Sequence, residues 1–309
     1  MNLEKPPIPV AILLFIGITA ISFSSIFVKW SDAPVSIQAM YRLILTMLFM
    51  LPFGIKYISQ ARKLKGTDIL KLMASGIMLA VHFLLWMGSL QWTSVASSTI
   101  ILALQPVFVM IGAYVFFKER TSVSALSGMG IAFLGVFLLI GKSGMSGTGS
   151  HLTGDLMSLF GTAAIAAHML LGQMLLKRIP SFLYSWFVFV FAALFLAGYN
   201  MFSGIPLTGY AAKEWGIFAL LAVVPTVFGH LLFNWLMRYS SASTVSMSVL
   251  GEPVGASLLA FLLLNESMNG LQAAGGALVL LGLILFLNVR PSKKATAVAP
   301  TDLQTESLG

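Results

Sequence analysis

The chain of 309 residues has no cysteine and little charge, with ten acidic and eighteen basic residues making up 9% of it. Without cysteine there is no disulfide, no thiol chemistry and no thiolate ligand for a metal, although this absence places the protein in no compartment. The scarcity of charge excludes an ordinary soluble domain, in which about a quarter of residues are charged. Enzyme signatures are missing too. There is no GxSxG, no HExxH, no Walker loop and no DxxD-type carboxylate pair within the apolar segments. His82, His168 and His230 share neither HxxxH nor HExxH spacing, so the sequence points to no metal site, and no cofactor is expected.

Hydrophobic residues account for 58% of the chain, and the mean hydropathy is +0.93. This is the composition of a polytopic membrane protein. Apolar runs of spanning length lie at residues 8–28, 35–55, 69–90, 94–117, 122–141, 153–176, 181–202, 213–236, 242–264 and 270–289. The sequence therefore predicts ten transmembrane α-helices. Pro, Gly and Ser within several runs are compatible with helices in lipid, where neighbouring helices satisfy the freed backbone groups. The first run exceeds a signal-peptide core and lacks a small-x-small cleavage site, so it reads as the first span.

A net charge of +8 alone is compatible with a nucleic-acid partner, but the basic residues are sorted by loop rather than gathered on one face, and no nucleic acid is expected. With the N-terminus inside, fourteen of the eighteen fall in cytoplasmic segments, Lys29, Lys142 and Lys213 fall outside, and Arg42 lies within a span. The expected location is a cell membrane, multi-pass, with both termini cytoplasmic.

The stretch LALQPVFVMIGAYVFFKER, from Leu102 to Arg120, returns as VLGEPVGASLLAFLLLNES, from Val249 to Ser267. One offset of 147 residues relates Pro106 to Pro253, Glu119 to Glu266, Gly128 to Gly275 and Gly135 to Gly282. The chain is thus read as a duplication: a first repeat over 8–141, an extracytoplasmic Gly/Ser-rich linker over 142–152, a second repeat over 153–290 and a disordered cytoplasmic tail over 291–309. Five spans per repeat make the second half enter from the opposite side, which predicts inverted repeats about a pseudo-twofold axis in the membrane plane.

Several residues invite a functional reading beside a structural one. Pro106 and Pro253 sit near the middle of their predicted helices and free the carbonyls of Leu102 and Val249. They are either packing kinks or paired conformational hinges beside a midplane cavity. Glu252 lies close to mid-bilayer, opposite neutral Gln105 in the first repeat, and either titrates and recognises a cation or braces helix contacts. Arg42 needs a partner, a substrate or a snorkelling path. His82 and His230 occupy nearly matching places, with Trp86 and Asn234 one turn on, and either pack or line a cavity. His168 has less support. Glu119 and Glu266 read as interfacial anchors. Ser and Thr clusters in spans one, four and nine read as close-packing groups. So do Gly128, Ala132, Gly135, Gly275 and Gly282, which form a seam within the chain or between two copies in a homodimer.

The paired L-x-x-x-P segments with a terminal Glu, together with Arg42 in AMYRLIL, resemble the EamA-type drug/metabolite transporters, and the resemblance runs from Val10 to Arg290. It implies a ten-helix basket with a central cavity walled by spans one, three, four, six, eight and nine. It also implies export of small-molecule substrates such as amino acids or drugs. Arg42, Pro106, Glu119, Pro253 and Glu266 fall on family positions; His82, Trp86, His230 and Asn234 fall in cavity-wall helices. The second repeat lacks an equivalent of Arg42. The expectation is a non-enzymatic secondary transporter in the lipid bilayer, possible proton coupling included. The competing classes are a membrane-embedded lipid-processing enzyme and a non-transporting sensor or interaction protein.

Overall fold

In the computed structural model, residues 6, 8–93, 98, 101–140, 151–264 and 270–288 are described, and among them there is helix and no strand. The first span is split into α1 (Val10–Ser22) and α2 (Ser24–Trp30). The Ser22 hydroxyl donates to the Ile18 carbonyl at 2.8 Å, a back-bond of the kind that bends helices. Next come α3 (Val35–Gly54), a single turn of 3-10 helix and short α4 (Ile58–Ala61), α5 (Gly66–Ser89), α6 (Gln105–Phe117) and α7 (Val123–Ile140). The second half holds α8 (His151–Leu175), α9 (Ser181–Phe202), α10 (Ala212–Leu221), a π-helical stretch (Ala222–Leu231), α11 (Leu232–Leu236), α12 (Ala242–Ser248), α13 (Glu252–Leu264) and α14 (Gly270–Asn288).

Seven of the helical stretches are long and apolar enough to cross a membrane, and three shorter apolar helices lie in predicted spans four, five and ten. Large apolar side chains such as Phe15, Phe116, Phe137, Phe160 and Phe202 cover the outer surface. Water would penalise that surface heavily, whereas lipid does not. The chain is a multi-pass, all-helical membrane protein. The predicted linker, all but its last two residues, together with Glu266 and the tail, lies outside the described residues.

Helix contacts occur in sets that the 147-residue offset interchanges. The pairs α7 with α14 and α3 with α9 each join matched segments, while α5 with α8 has its counterpart in α1 with the π-helical stretch. Polar ties repeat the pattern. At the start of α5, buried Asp68 accepts the backbone N–H of Lys65 and pairs with Arg178 just after α8. At the start of α10, buried Glu214 accepts from the Ser31 hydroxyl and the Asp32 backbone N–H just after α2. The matched acids lie 146 residues apart, and Ser31 and Arg178 lie 147 apart.

The glycine seam resolves within the chain. A Cβ added to Gly135 would stand 2.5 Å from the Val279 nitrogen and 2.7 Å from the Gly275 oxygen, and one on Gly282 would stand 2.5 Å from the Gly128 oxygen. The two backbones touch directly, the close approach that small residues permit in lipid. Around them Ala132, Val136, Val279 and Leu283 form a separate small core with Met247 and Leu250. We expect Gly135→Leu to force α7 and α14 apart at a cost of about 1–3 kcal/mol, seen as a lower melting temperature in detergent. Gly130→Leu, one residue type on the same helix with no atom within 4 Å of its added Cβ, should leave the melting temperature unchanged.

Candidate functional site

A cavity between the halves encloses about 600 Å³ of empty space, its open mouth included. Its lining comes largely in pairs related by the same offset: Phe83 with His230, Trp86 with Phe233, Leu102 with Val249, Gln105 with Glu252, and Ile21 with His168. Phe83 and His230 touch each other edge-on, with ring centroids 5.3 Å apart. Matched positions of the two halves therefore touch in the cavity wall.

Two of the helices that wall the cavity restart beside it. The sequence places Pro106 and Pro253 in mid-helix; the structure places each in the first turn of a new helix, α6 from Gln105 and α13 from Glu252. Proline costs nothing there, since its missing N–H would have had no intrahelical partner. A turn at Ala103 and Leu104 precedes α6, and a 3-10 turn at Val249–Gly251 precedes α13. These breaks carry Gln105 and Glu252 into the cavity wall as the first residues of their helices. Leu102 and Val249, whose carbonyls the prolines were expected to free, line the same space.

Four of the polar wall residues have hydrogen-bond partners. His82 Nδ1 lies 3.0 Å from the Gly161 carbonyl, which can only accept, so Nδ1 carries a proton. The ring stacks on Trp86 at 5.9 Å between centroids and 6° between planes. Glycine at 161 is what lets α8 come this close, since an added Cβ would lie 3.1 Å from the Trp86 nitrogen. His168, which sequence reasoning rated low, is fixed by Ser75 Oγ at 2.9 Å from its Nδ1, and that hydroxyl also meets the Tyr184 hydroxyl at 2.8 Å. Its match to Ile21 gave no polar signal to find it by. Asn234 donates to Ser185 Oγ at 3.2 Å, and Gln105 Nε2 approaches Met169 Sδ at 3.0 Å.

Glu252 differs from all of these. Its backbone carbonyl accepts from Ser22 at 3.3 Å, but no described residue hydrogen-bonds its carboxylate oxygens. Among the described residues it is the single acid in the lining, and no Lys or Arg lines the cavity.

Arg42 does not line the cavity, and it does not snorkel; it is wholly buried. The cause is a feature that the proline in VVPTVF signals. Pro225 has no N–H, so the Leu221 carbonyl four residues earlier loses its α-helical donor, and the backbone widens into a π-helix from Ala222 to Leu231. The Thr226 hydroxyl donates to that carbonyl at 2.7 Å, which leaves its oxygen free to accept Arg42 Nε–H at 2.9 Å. Thr46 donates to the Ala222 carbonyl at 3.2 Å. The Arg42 guanidinium carbon lies 4.4 Å from the centroid of the Phe83 ring.

Other residues singled out in the sequence have structural partners. Glu119 accepts from Gln173 Nε2 at 2.6 Å, and Gln173 Oε1 accepts the Ala242 N–H at 2.5 Å, which ties α6, α8 and α12 together. Ser98 Oγ meets Ser89 Oγ at 2.9 Å and Ser158 Oγ at 3.1 Å, a packing cluster between helices. Ser246 and Ser248 donate to carbonyls of their own helix. Of the serines read as packing groups, Ser24 lines the cavity. No group of three potential metal ligands occurs among the described residues.

Comparison with known proteins agrees with this architecture. A solved crystal structure of a protein 14% identical in sequence superposes with a TM-score of 0.74, covering 89% of this chain and 94% of that one, and so shares the fold. An uncharacterized transporter of Archaeoglobus fulgidus is 27% identical over 89% of this chain and 95% of its own. Uncharacterized transporter YyaM of Bacillus subtilis is 27% identical over 65% of this chain and 67% of its own. A Salmonella typhimurium protein described as a "probable amino-acid metabolite efflux pump" is 26% identical over 62% of this chain and 66% of its own. The EamA-like transporter family matches the chain twice, at residues 8–141 and 152–288. With both halves matched, the chain belongs to the EamA-like transporter family and is a membrane transporter.

Proposed function

We propose that the protein is a secondary transporter that exports small metabolites such as amino acids or drugs by alternating access around the central cavity. The observation that carries this reading is the lining itself: five pairs of matched residues, one from each half, face a single space. A site on the line relating two inverted repeats is reached from either side by rocking one half against the other. The helix breaks before Pro106 and Pro253 give each half a flexing point beside the cargo. The efflux name of the Salmonella relative favours export.

Within this reading Glu252 binds a cation, either a proton or the amine of the cargo. Among the described residues nothing hydrogen-bonds this carboxylate and no basic residue lines the cavity to neutralise it. In proteoliposomes tested with a panel of amino acids, an imposed pH gradient should drive uptake by the wild type. Glu252→Gln should reduce the gradient-driven part by about tenfold or more, as loss of the coupling group requires. Undiminished gradient-driven flux in that variant would remove Glu252 from the coupling role.

The orientation follows from the loop charges: ten spans, inverted halves and both termini cytoplasmic. The cysteine-free chain makes this directly measurable. In intact cells a membrane-impermeant maleimide should label Ser146→Cys in the linker and should reach Lys293→Cys in the tail only after permeabilisation. Labelling of the tail in intact cells would reverse the topology.

A further inference from the structure

Arg42 is the charge that the transport reading leaves unused. Its guanidinium is fully buried, Nε–H is taken by Thr226, and neither Nη1 nor Nη2 has a hydrogen-bond partner among the described residues. An unpaired cation in a medium of low polarity is held at a steep cost unless some state of the protein satisfies it. Glu252 acts on Arg42 electrostatically, yet the two make no ion pair in this conformation.

The Phe83 ring covers the guanidinium on one side and lines the cavity on the other. Thr226 fixes the guanidinium through Nε and so presents the Nη1 and Nη2 edge, the planar pair of donors that a carboxylate accepts two-pronged. Both Thr226 and the π-helix that positions it are confined to the second half: the matched residue in the first half is Leu79, and the residue matched to Arg42 is Phe189. The arrangement is therefore particular to one side of the cavity, and packing symmetry does not demand it.

We propose that Arg42 is a latent anion subsite of the cavity, uncovered when Phe83 turns off the guanidinium, and that it takes the carboxylate of the cargo. With Glu252 as the cationic pole's partner, the substrate class is a small zwitterion bearing one carboxylate and one ammonium. A phosphate ester fits less well, because among the described residues no second Lys or Arg lines the cavity to balance its further charge. The proposal rests on the transport reading only in taking the cavity as the place where cargo sits.

The absence of cysteine supplies the test. Ser24 lines the cavity, and Ser24→Cys changes one atom. The full chain carrying it is treated in detergent with anionic sulfonatoethyl methanethiosulfonate and, separately, with the cationic trimethylammonioethyl reagent. The ratio of anionic to cationic labelling rates should fall about tenfold when Arg42→Gln is added, the lower end of what a cleft's field does to local ion concentration. Arg42→Lys, which keeps the charge, should hold the ratio near its starting value. Phe83→Ala should raise the anionic rate relative to the cationic one, whereas misfolding would expose the thiol to both reagents alike. Leucine should protect the introduced thiol better than leucinamide in the parent and no better after Arg42→Gln. An unchanged ratio in Arg42→Gln, no gain in Phe83→Ala, or equal protection by the acid and the amide in the parent overturns the subsite. Labelling needs no flux, so expected labelling without transport would remove the transport reading and leave the subsite standing.

Discussion

Phe83 meets His230 edge to face, and the duplication makes these two residues equivalents of one another. The contact brings matched positions of the two halves together at the cavity wall. Other matched segments pair in the same way: the glycine seam joins α7 to α14, α3 packs on α9, and matched pairs of residues line the cavity. In lipid, where helix association lacks the drive that water provides, such close self-matched contacts are the main means of holding two halves together.

The symmetry of position is not one of chemistry. Across the cavity, Ile21, Phe83 and Gln105 of the first half face His168, His230 and Glu252 of the second. The second half supplies most of the groups able to carry or accept a proton, while the first supplies mostly apolar and neutral surface, with His82 the exception. The charge distribution extends one layer deeper, where Arg42 of the first half is fixed by Thr226 of the second.

Without water in the bilayer, every break in a helix must be satisfied by protein, and this chain does so with short side chains. Pro225 opens the π-helix, and the hydroxyls of Thr226 and Thr46 take up the Leu221 and Ala222 carbonyls. Ser22 bends the first span and also bonds the Glu252 carbonyl, linking the kink in one helix to the start of another. Elements that look like defects in the sequence are therefore the ones that build the cavity wall. The broken helices share the cavity wall with two unbroken ones, α5 and α8.

The sequence by itself determined the membrane class, the all-helical fold, the duplication and its offset, because apolar length and repetition are properties of order along the chain. It also brought Glu252, Gln105, His82, Trp86, His230 and Asn234 to notice, all of which line one cavity. It placed Pro106 and Pro253 in mid-helix, whereas packing around the cavity restarts a helix at each of them. His168 and Phe83 carried no signal of their own, since their roles depend on Ser75, Tyr184 and Arg42, far away in the chain. The burial of Arg42 was decided only by tertiary structure. Whether a long cationic side chain snorkels or stays inside depends on a partner 184 residues away, and that partner is in place because a proline widened the opposing helix.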